Sequence, residues 1–243
     1  MAGTPTTRVG VDVGGTFTDV VLHTADGDLV TAKVPSTADQ SVGVVRGIEE
    51  ACERAGIDPA DVEAFAHAMT VSTNALLEGD GARSALVTTA GFRDVLELRR
   101  QDRPSLYDLD ASKPDPLVPR RRRFEVDERV TVDGIETPVD ESEVHALVDE
   151  IRDCDAESVA VSLLHAYRHP ENERTVASIL REELDVPVSA SHEVLAEFRE
   201  YERTSTTAVD ASVTPAIDAY LGRLEDEVAS RGVPTPRVMQ SNG

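Results

Sequence analysis

The sequence predicts an α/β fold, a mixed sheet flanked by helices and followed by a helical C-terminal segment. Three observations lead there. Residues 8–22 read as a strand, a glycine turn and a second strand that begins almost at once; strand-like and helix-like segments then alternate up to residue 190; and from residue 197 the chain turns almost wholly helical. At 243 residues it can bury one large core or two modest ones.

Each element has a local reason. Val9, Val11 and Val13 are β-branched and spaced for one side of a strand, and residues 20–22 supply a second apolar run. A third strand over 29–34 continues the hairpin. A helix follows, with Ser41 as its N-cap, Val44, Val45, Ile48 and Cys52 on its apolar side and Gly56 as its stop. Short apolar strands over 63–69 and 84–88 flank a small helix over 73–77. Residues 103–123 break the rhythm with Pro104, Pro114, Pro116 and Pro119 and end in four arginines, which predicts a long irregular excursion, either a surface loop or an active-site flap. The run Arg120, Arg121, Arg122, Arg123 reads as a site for an anion or an acidic partner subunit, or as a solvated face paired with surface carboxylates.

Residues 124–132 and 135–138 predict a hairpin turning at Asp133-Gly134. A helix over 141–153, a strand over 158–164, a helix over 172–184 and a strand over 187–191 then form a βαβαβ series, with helices over a mostly parallel sheet. From 197 the helix is nearly continuous, with a break near Thr214-Pro215 and a stop at Gly232 before a strand starting over 237–240.

Composition narrows the function. The formal charge is −22, from 46 acidic and 24 basic side chains, which repels nucleic acid and anionic membrane surfaces. With Lys33 and Lys113 its only lysines, the chain resembles proteins adapted to a salt-rich cytoplasm; the alternative is an ordinary acidic enzyme. Cys52 and Cys154 make no disulfide framework and fit buried apolar roles. Residues 1–7 have no apolar or basic leader character and no apolar stretch reaches membrane-spanning length, so a soluble cytoplasmic protein is expected.

The chemistry concentrates in the first turn. Gly14 and Gly15 can take φ > 0 and put no Cβ between backbone N–H groups and an anion. Thr16 and Thr18 add hydroxyl donors, and Asp12 at the strand end can hold a Mg²⁺-bound water beside phosphates. No Lys follows the glycines, so this is not a Walker loop, and the spacing and following strand exclude a dinucleotide fingerprint. The alternative is an ordinary hairpin with a tight Gly-Gly turn. Thr70, Ser72, Thr73 and Asn74 offer donors around a helix start, as an anion site or as a plain cap and turn. Arg199, Glu200, Glu202, Arg203, Thr204 and Thr206 crowd one helix, where spacings of three and four make a solvated, ion-paired face the default. His165, His169 and Glu173 do not qualify as a metal site, because Pro170 breaks the helix they would need. His67 reads as a satisfied core residue.

The stretch VGVDVGGTFTDVVL (residues 9–22) resembles the first phosphate motif of the actin-like ATPase superfamily, with its ribonuclease H-like N-terminal lobe, in the form used by the hydantoinase A / 5-oxoprolinase family. Residues 69–100, SLLHAYRHPENE (162–173), SHEVLAEFREYERTSTTAVDA (191–211) and the final MQSNG carry the narrower resemblance. It implies a hydantoinase/oxoprolinase N-terminal domain over 1–190 and the incomplete helical start of the main hydantoinase A domain over 191–243. It implies ATP and Mg²⁺ as cofactors, with Asp12, Gly14, Gly15, Thr16 and Thr18 at the nucleotide. It raises Thr73, Asn74, Arg203 and Thr204 as substrate-lining candidates. The activity implied is ATP-dependent opening of a cyclic amide such as 5-oxoproline or a hydantoin, by phosphorylation of the amide oxygen. A hydantoinase B-like subunit is the implied partner, and related enzymes activate ketones or carbonate for carboxylation. Family members carry a second lobe with another Gly-Gly-Thr hairpin, which this sequence lacks, so the chain reads as a truncated N-terminal portion that binds ATP weakly or not at all alone. The rivals are a sugar- or acetate-kinase-type phosphotransferase, which would have no reason to carry SLLHAYRHPENE, and a non-catalytic lobe acting as a binding or scaffold protein.

Overall fold

A computed structural model describes residues 6–37, 39–108 and 110–239. The chain runs β1 (Arg8–Val13), β2 (Phe17–His23), β3 (Leu29–Pro35), α1 (Gln40–Ala55), β4 (Ala64–Met69), α2 (Val71–Glu78), β5 (Ser84–Thr89) and α3 (Val95–Leu98). After the irregular segment come β6 (Arg123–Val126), β7 (Arg129–Thr131), β8 (Gly134–Thr137), α4 (Glu141–Asp153), β9 (Ser158–Ser162), α5 (Glu171–Glu183), β10 (Val188–Ala190) and α6 (Ser191–Val194). The long α7 (Glu200–Ala229) and short β11 (Arg237–Val238) follow. Two compact units result, one of Met1–Gly79 with Ala216–Gly243 and one of Asp80–Pro215.

The first unit holds a five-stranded mixed sheet in the order β11-β4-β1-β2-β3. β1, β2 and β3 form an antiparallel meander, while β4 lies parallel to β1 and to β11. Alternation decides which face is covered: Val9, Val11, Val13, Val20, Leu22 and Phe65 point to one side, against Val44, Val45, Ile48 and Cys52 of α1 and Tyr220, Leu224 and Val228 of α7. Each such burial contributes about 1.5–3 kcal/mol. On the other face, Asp12, Phe17, Asp19, Val21, Leu29 and Lys33 are exposed. Gly47 lets α1 sit close to the sheet, since a Cβ there would lie 2.6 Å from Val20 Cγ2.

The cap of α1 is Asp39, not Ser41. The Asp39 carboxylate accepts from the Ser41 N–H at 3.1 Å and from its hydroxyl at 2.7 Å, and the Ser41 hydroxyl bond in particular holds the carboxyl below the usual range. Gly56 ends the helix as expected, at φ 72°.

The second unit is built on a four-stranded, wholly parallel sheet in the order β10-β9-β5-β6. Every residue of β5 and β9 is buried, the pattern of strands covered on both faces. Ala85, Val87, Val159 and Val161 pack against α4 and α5; Leu86 and Ala160, pointing the other way, meet Ala208 and Ala211 of α7.

Two elements depart from expectation. The hairpin predicted over 124–138 divides: β6 joins the parallel sheet beside β5, and only β7 and β8 pair antiparallel, across Asp133-Gly134. The division falls at Glu128, whose buried carboxylate accepts from the Thr89 hydroxyl and from Asn172 Nδ2 at 2.8 Å, which pins the chain away from β6. Second, α7 does not break near Thr214-Pro215. Pro215 removes one N–H from the helix ladder, but hydroxyls beside it bond to the preceding turn, Ser212 to Val209 O and Thr214 to Asp210 O, both at 2.8 Å. Of the strand predicted over 237–240, Gln240 lies outside the described residues, as do the last four residues of the MQSNG stretch.

His67, on β4, is fully buried, and its Nε2 shares a 2.8 Å hydrogen bond with the Tyr220 hydroxyl; Nδ1 has no partner among the described residues. Burial pushes the imidazole pKa down. The folded chain therefore binds a proton here less readily than the unfolded chain, so stability is complete above about pH 6.5 and falls as pH drops below it, by at most about 1.4 kcal/mol per pH unit. Urea midpoints at pH 7.5 and 5.5 should show this loss in the native chain and a smaller one in His67→Gln.

Candidate functional site

The turn between β1 and β2 is shaped by where its carbonyls go. Val13 O accepts from the Thr70 hydroxyl at 3.1 Å, Gly14 O from the Ser36 hydroxyl at 2.7 Å, and Thr16 O from the Ser36 N–H at 3.0 Å. Gly14 N–H closes the turn on Phe17 O at 3.0 Å. With the carbonyls engaged inward, the N–H groups of Gly15 and Thr16 have no acceptor among the described residues. Adjacent unpartnered amides make a concavity that favours an anion.

The glycines serve this turn by lacking side chains. Neither adopts the positive φ that the sequence allowed. A Cβ on Gly14 would lie 3.2 Å from Phe17 O, and one on Gly15 would come 3.9 Å from Asn74 Nδ2. Asn74 is on α2, so this helix and the turn adjoin, while Thr73 is exposed on the same helix. Asp12 ends β1 on the exposed face and makes no hydrogen bond or ion pair among the described residues. Its cross-strand neighbour Asp19 is held by Lys33 Nζ at 2.8 Å, which leaves Asp12 the free carboxylate of the pair. Thr16 is exposed at the tip.

Thr18 is placed differently. Its position in the β-ladder turns the side chain inward; it is fully buried, its hydroxyl lies 3.4 Å from where a Gly43 Cβ would stand, and it has no hydrogen-bond partner among the described residues. It therefore does not present its hydroxyl at the turn. Ser36, which braces two carbonyls, was not signalled by the sequence, because a serine after a strand is commonplace.

Arg203 and Thr204, expected to line a cleft, are instead buried in the second unit. Arg203 donates from Nε to the Ser191 hydroxyl at 3.1 Å, from one terminal nitrogen to Leu163 O at 2.6 Å, from the other to Glu197 O at 3.4 Å, and from both to Glu200. These contacts use all five of its N–H donors, and the guanidinium lies 5.5 Å from the Tyr167 ring centre. Thr204 shares a 2.8 Å hydrogen bond with Ser162. Glu173 completes the network: its carboxylate accepts from Leu163 N–H at 2.7 Å, from the Ser191 hydroxyl at 2.8 Å and from the backbone and ring nitrogens of His192, each at 2.8 Å. Among the described residues no three His, Cys, Asp or Glu side chains are grouped to hold a metal ion.

Two substitutions separate these roles. Thr18→Val replaces an unpartnered hydroxyl by a methyl group and should leave stability unchanged or raise it by about 1 kcal/mol in urea unfolding. Arg203→Met, which takes the donor from the buried Leu163 carbonyl and the ion-pair partner from Glu200, should lower stability by about 1–3 kcal/mol, where a side chain lining an open cleft would leave it nearly unchanged.

Residues 8–184 match the hydantoinase/oxoprolinase N-terminal region. An uncharacterised protein of Methanocaldococcus jannaschii is 39% identical, over 97% of this chain and 35% of its own length. Caprolactamase subunit alpha of Pseudomonas jessenii is 36% identical, over 97% of this chain and 35% of its own length. The crystal structure of that ATP-dependent caprolactamase superposes with a TM-score of 0.86 at 33% identity, over 97% of this chain and 36% of that one. Nucleotide-free acetone carboxylase superposes at 0.81 with 27% identity, over 93% of this chain and 34% of its own. The chain thus spans about a third of the length of these relatives. With its α/β architecture and this match over residues 8–184, the chain belongs to the hydantoinase/oxoprolinase family, whose N-terminal region it carries.

Proposed function

We propose that this chain is the N-terminal lobe of an enzyme that opens a cyclic amide of the 5-oxoproline or hydantoin type at the expense of ATP. The observation that carries the reading is the β1–β2 turn, with two free amides beside an unpaired carboxylate, in a chain akin to an ATP-dependent caprolactamase. The residues fit the group: Gly15 puts no side chain between its N–H and an anion, and a single carboxylate suits Mg²⁺, which is commonly held by one or two carboxylates together with phosphate oxygens and water. Asp12 would hold the Mg²⁺, and the Gly15 and Thr16 N–H groups with the Thr16 hydroxyl would bind phosphate oxygens. ATP, when bound, would supply activation: moving its γ-phosphoryl to the amide oxygen, with ADP released, would make that oxygen part of a phosphate leaving group and the carbon open to water. The chain's own part is electrostatic: fixed donors meet the transferring charge without having to reorganise. Asn74, beside Gly15, is positioned to contact whatever the turn binds.

Residues 1–190 constitute the N-terminal domain on this reading and 191–243 begin the next. Alone, the lobe supplies one side of the nucleotide grip and is inactive. A hydantoinase B-like subunit is the partner, in keeping with the designation of the caprolactamase relative as a subunit, and the need for ATP suits the cytoplasm. The acetone carboxylase match supports a second reading, in which the activated carbonyl belongs to a ketone that is then carboxylated.

The test is ATP hydrolysis by the full-length protein with its partner subunit, measured with 5-oxoproline, hydantoin, caprolactam, or acetone plus hydrogencarbonate. Stimulation by a cyclic amide is expected, lowered at least tenfold by Asp12→Asn, a change of about 1.4 kcal/mol or more. Stimulation by the ketone alone selects the second reading, and no stimulation by any of them refutes both.

A further inference from the structure

A second site with its own chemistry lies in the unit Asp80–Pro215. After α3 the backbone turns sharply: Arg99 takes φ 56° and ψ −135°, and Gln101 takes φ 58°. Non-glycine residues in such conformations persist where the surroundings demand them, and they gather at ligand sites. The irregular segment then returns beside this turn. The Arg99 guanidinium donates to Pro114 O, and Lys113 Nζ donates to Leu98 O at 3.3 Å and to the Asp102 carboxylate at 3.3 Å. Between them is a cavity of about 460 Å³, lined by Arg99, Arg100, Asp102, Lys113 and Tyr201 with proline faces. That volume is in the range of small-molecule sites.

The charge of this lining runs against that of the chain. Three cations, including one of the two lysines, face one carboxylate, in a sequence with 46 acidic and 24 basic residues. Arg100 is held by Nε on Glu202 at 2.6 Å, which orients its guanidinium but leaves both terminal nitrogens without a partner among the described residues. The Tyr201 hydroxyl likewise has none. A forked guanidinium, an ammonium and a phenol around one cavity are the donors that bind a planar carboxylate or a small oxyanion.

We infer that this cavity is an anion site for a small carboxylate or inorganic oxyanion, with Arg100 and Lys113 as its principal donors and Tyr201 as a third. It stands apart from the nucleotide reading, because it concerns the second unit and is read without ATP.

Calorimetric titration of this chain at low salt, with 5-oxoprolinate, hydrogencarbonate, inorganic phosphate and neutral 2-pyrrolidinone, tests it. At least one anion should bind saturably and the neutral lactam should not. Preference for 5-oxoprolinate identifies an organic carboxylate as the ligand, and preference for hydrogencarbonate or phosphate an inorganic one. Arg100→Gln and Lys113→Gln should each weaken binding about tenfold or more, with melting temperatures near that of the native chain. Asp102→Asn, which removes the only carboxylate of the lining, should tighten binding. The inference is overturned if no anion binds, if the lactam binds equally well, if neither glutamine variant weakens binding, or if Asp102→Asn loosens it.

Discussion

The constraint on which this structure depends is that a hydrogen-bonding group removed from water must find a partner inside the protein. In the second unit one carboxylate carries much of that burden. Glu173, from α5, accepts from the backbone just after β9 and from the side chain and backbone just after β10, while Arg203 of α7 reaches the same serine. Leaving any of these groups unpaired would cost about 1–3 kcal/mol, more for a charge. Strand ends and helices of the parallel sheet are thereby tied at one polar centre. In the first unit the same requirement, met for three carbonyls of a turn, leaves two amides facing outward.

Much of this was legible. The alternation Val9, Val11, Val13 fixes which side of β1 is covered, and the apolar centres of β5 and β9, residues 85–87 and 159–161, mark short strands that the fold buries on both faces. Periodicity located α1, α4 and α5 within a residue or two, with Gly56 as the stop of α1, because those signals are local. The misplaced details are nonlocal. Glu128 divides a hairpin through partners 39 and 44 residues away, and beside Pro215 the Ser212 carbonyl accepts from the distant Ala82 N–H at 2.8 Å within a helix that continues.

The site shows the same boundary. Asp12, Gly14, Gly15 and Thr16 could be picked out as candidates because the proposed phosphate chemistry calls for those residue types close together along the chain. Thr18 differs from Thr16 because it lies inside β2, where pairing with Val13 and Val34 sets its side chain on the covered face, whereas Thr16 stands in the exposed turn before the strand begins, a boundary that strand pairing decides. Arg203 was legible as a candidate and its role was not, since a buried guanidinium with every donor engaged and a cleft-lining one read alike along the chain. Two of the stretches that carry the family resemblance, SLLHAYRHPENE and SHEVLAEFREYERTSTTAVDA, supply Leu163, Glu173, Ser191 and Arg203; among the described residues their shared product is a buried polar lattice.

The scarcity of lysine gives this chain a built-in reporter. Lys33 stands on the exposed sheet face that also carries Asp12, ion-paired with Asp19, and Lys113 borders the cationic cavity. Apart from the terminal amine, an acylating reagent has these two nitrogens to modify, one in each compact unit. Peptide mapping of the labelled chain would therefore read the occupancy of either region from a single mass shift, with no engineered probe.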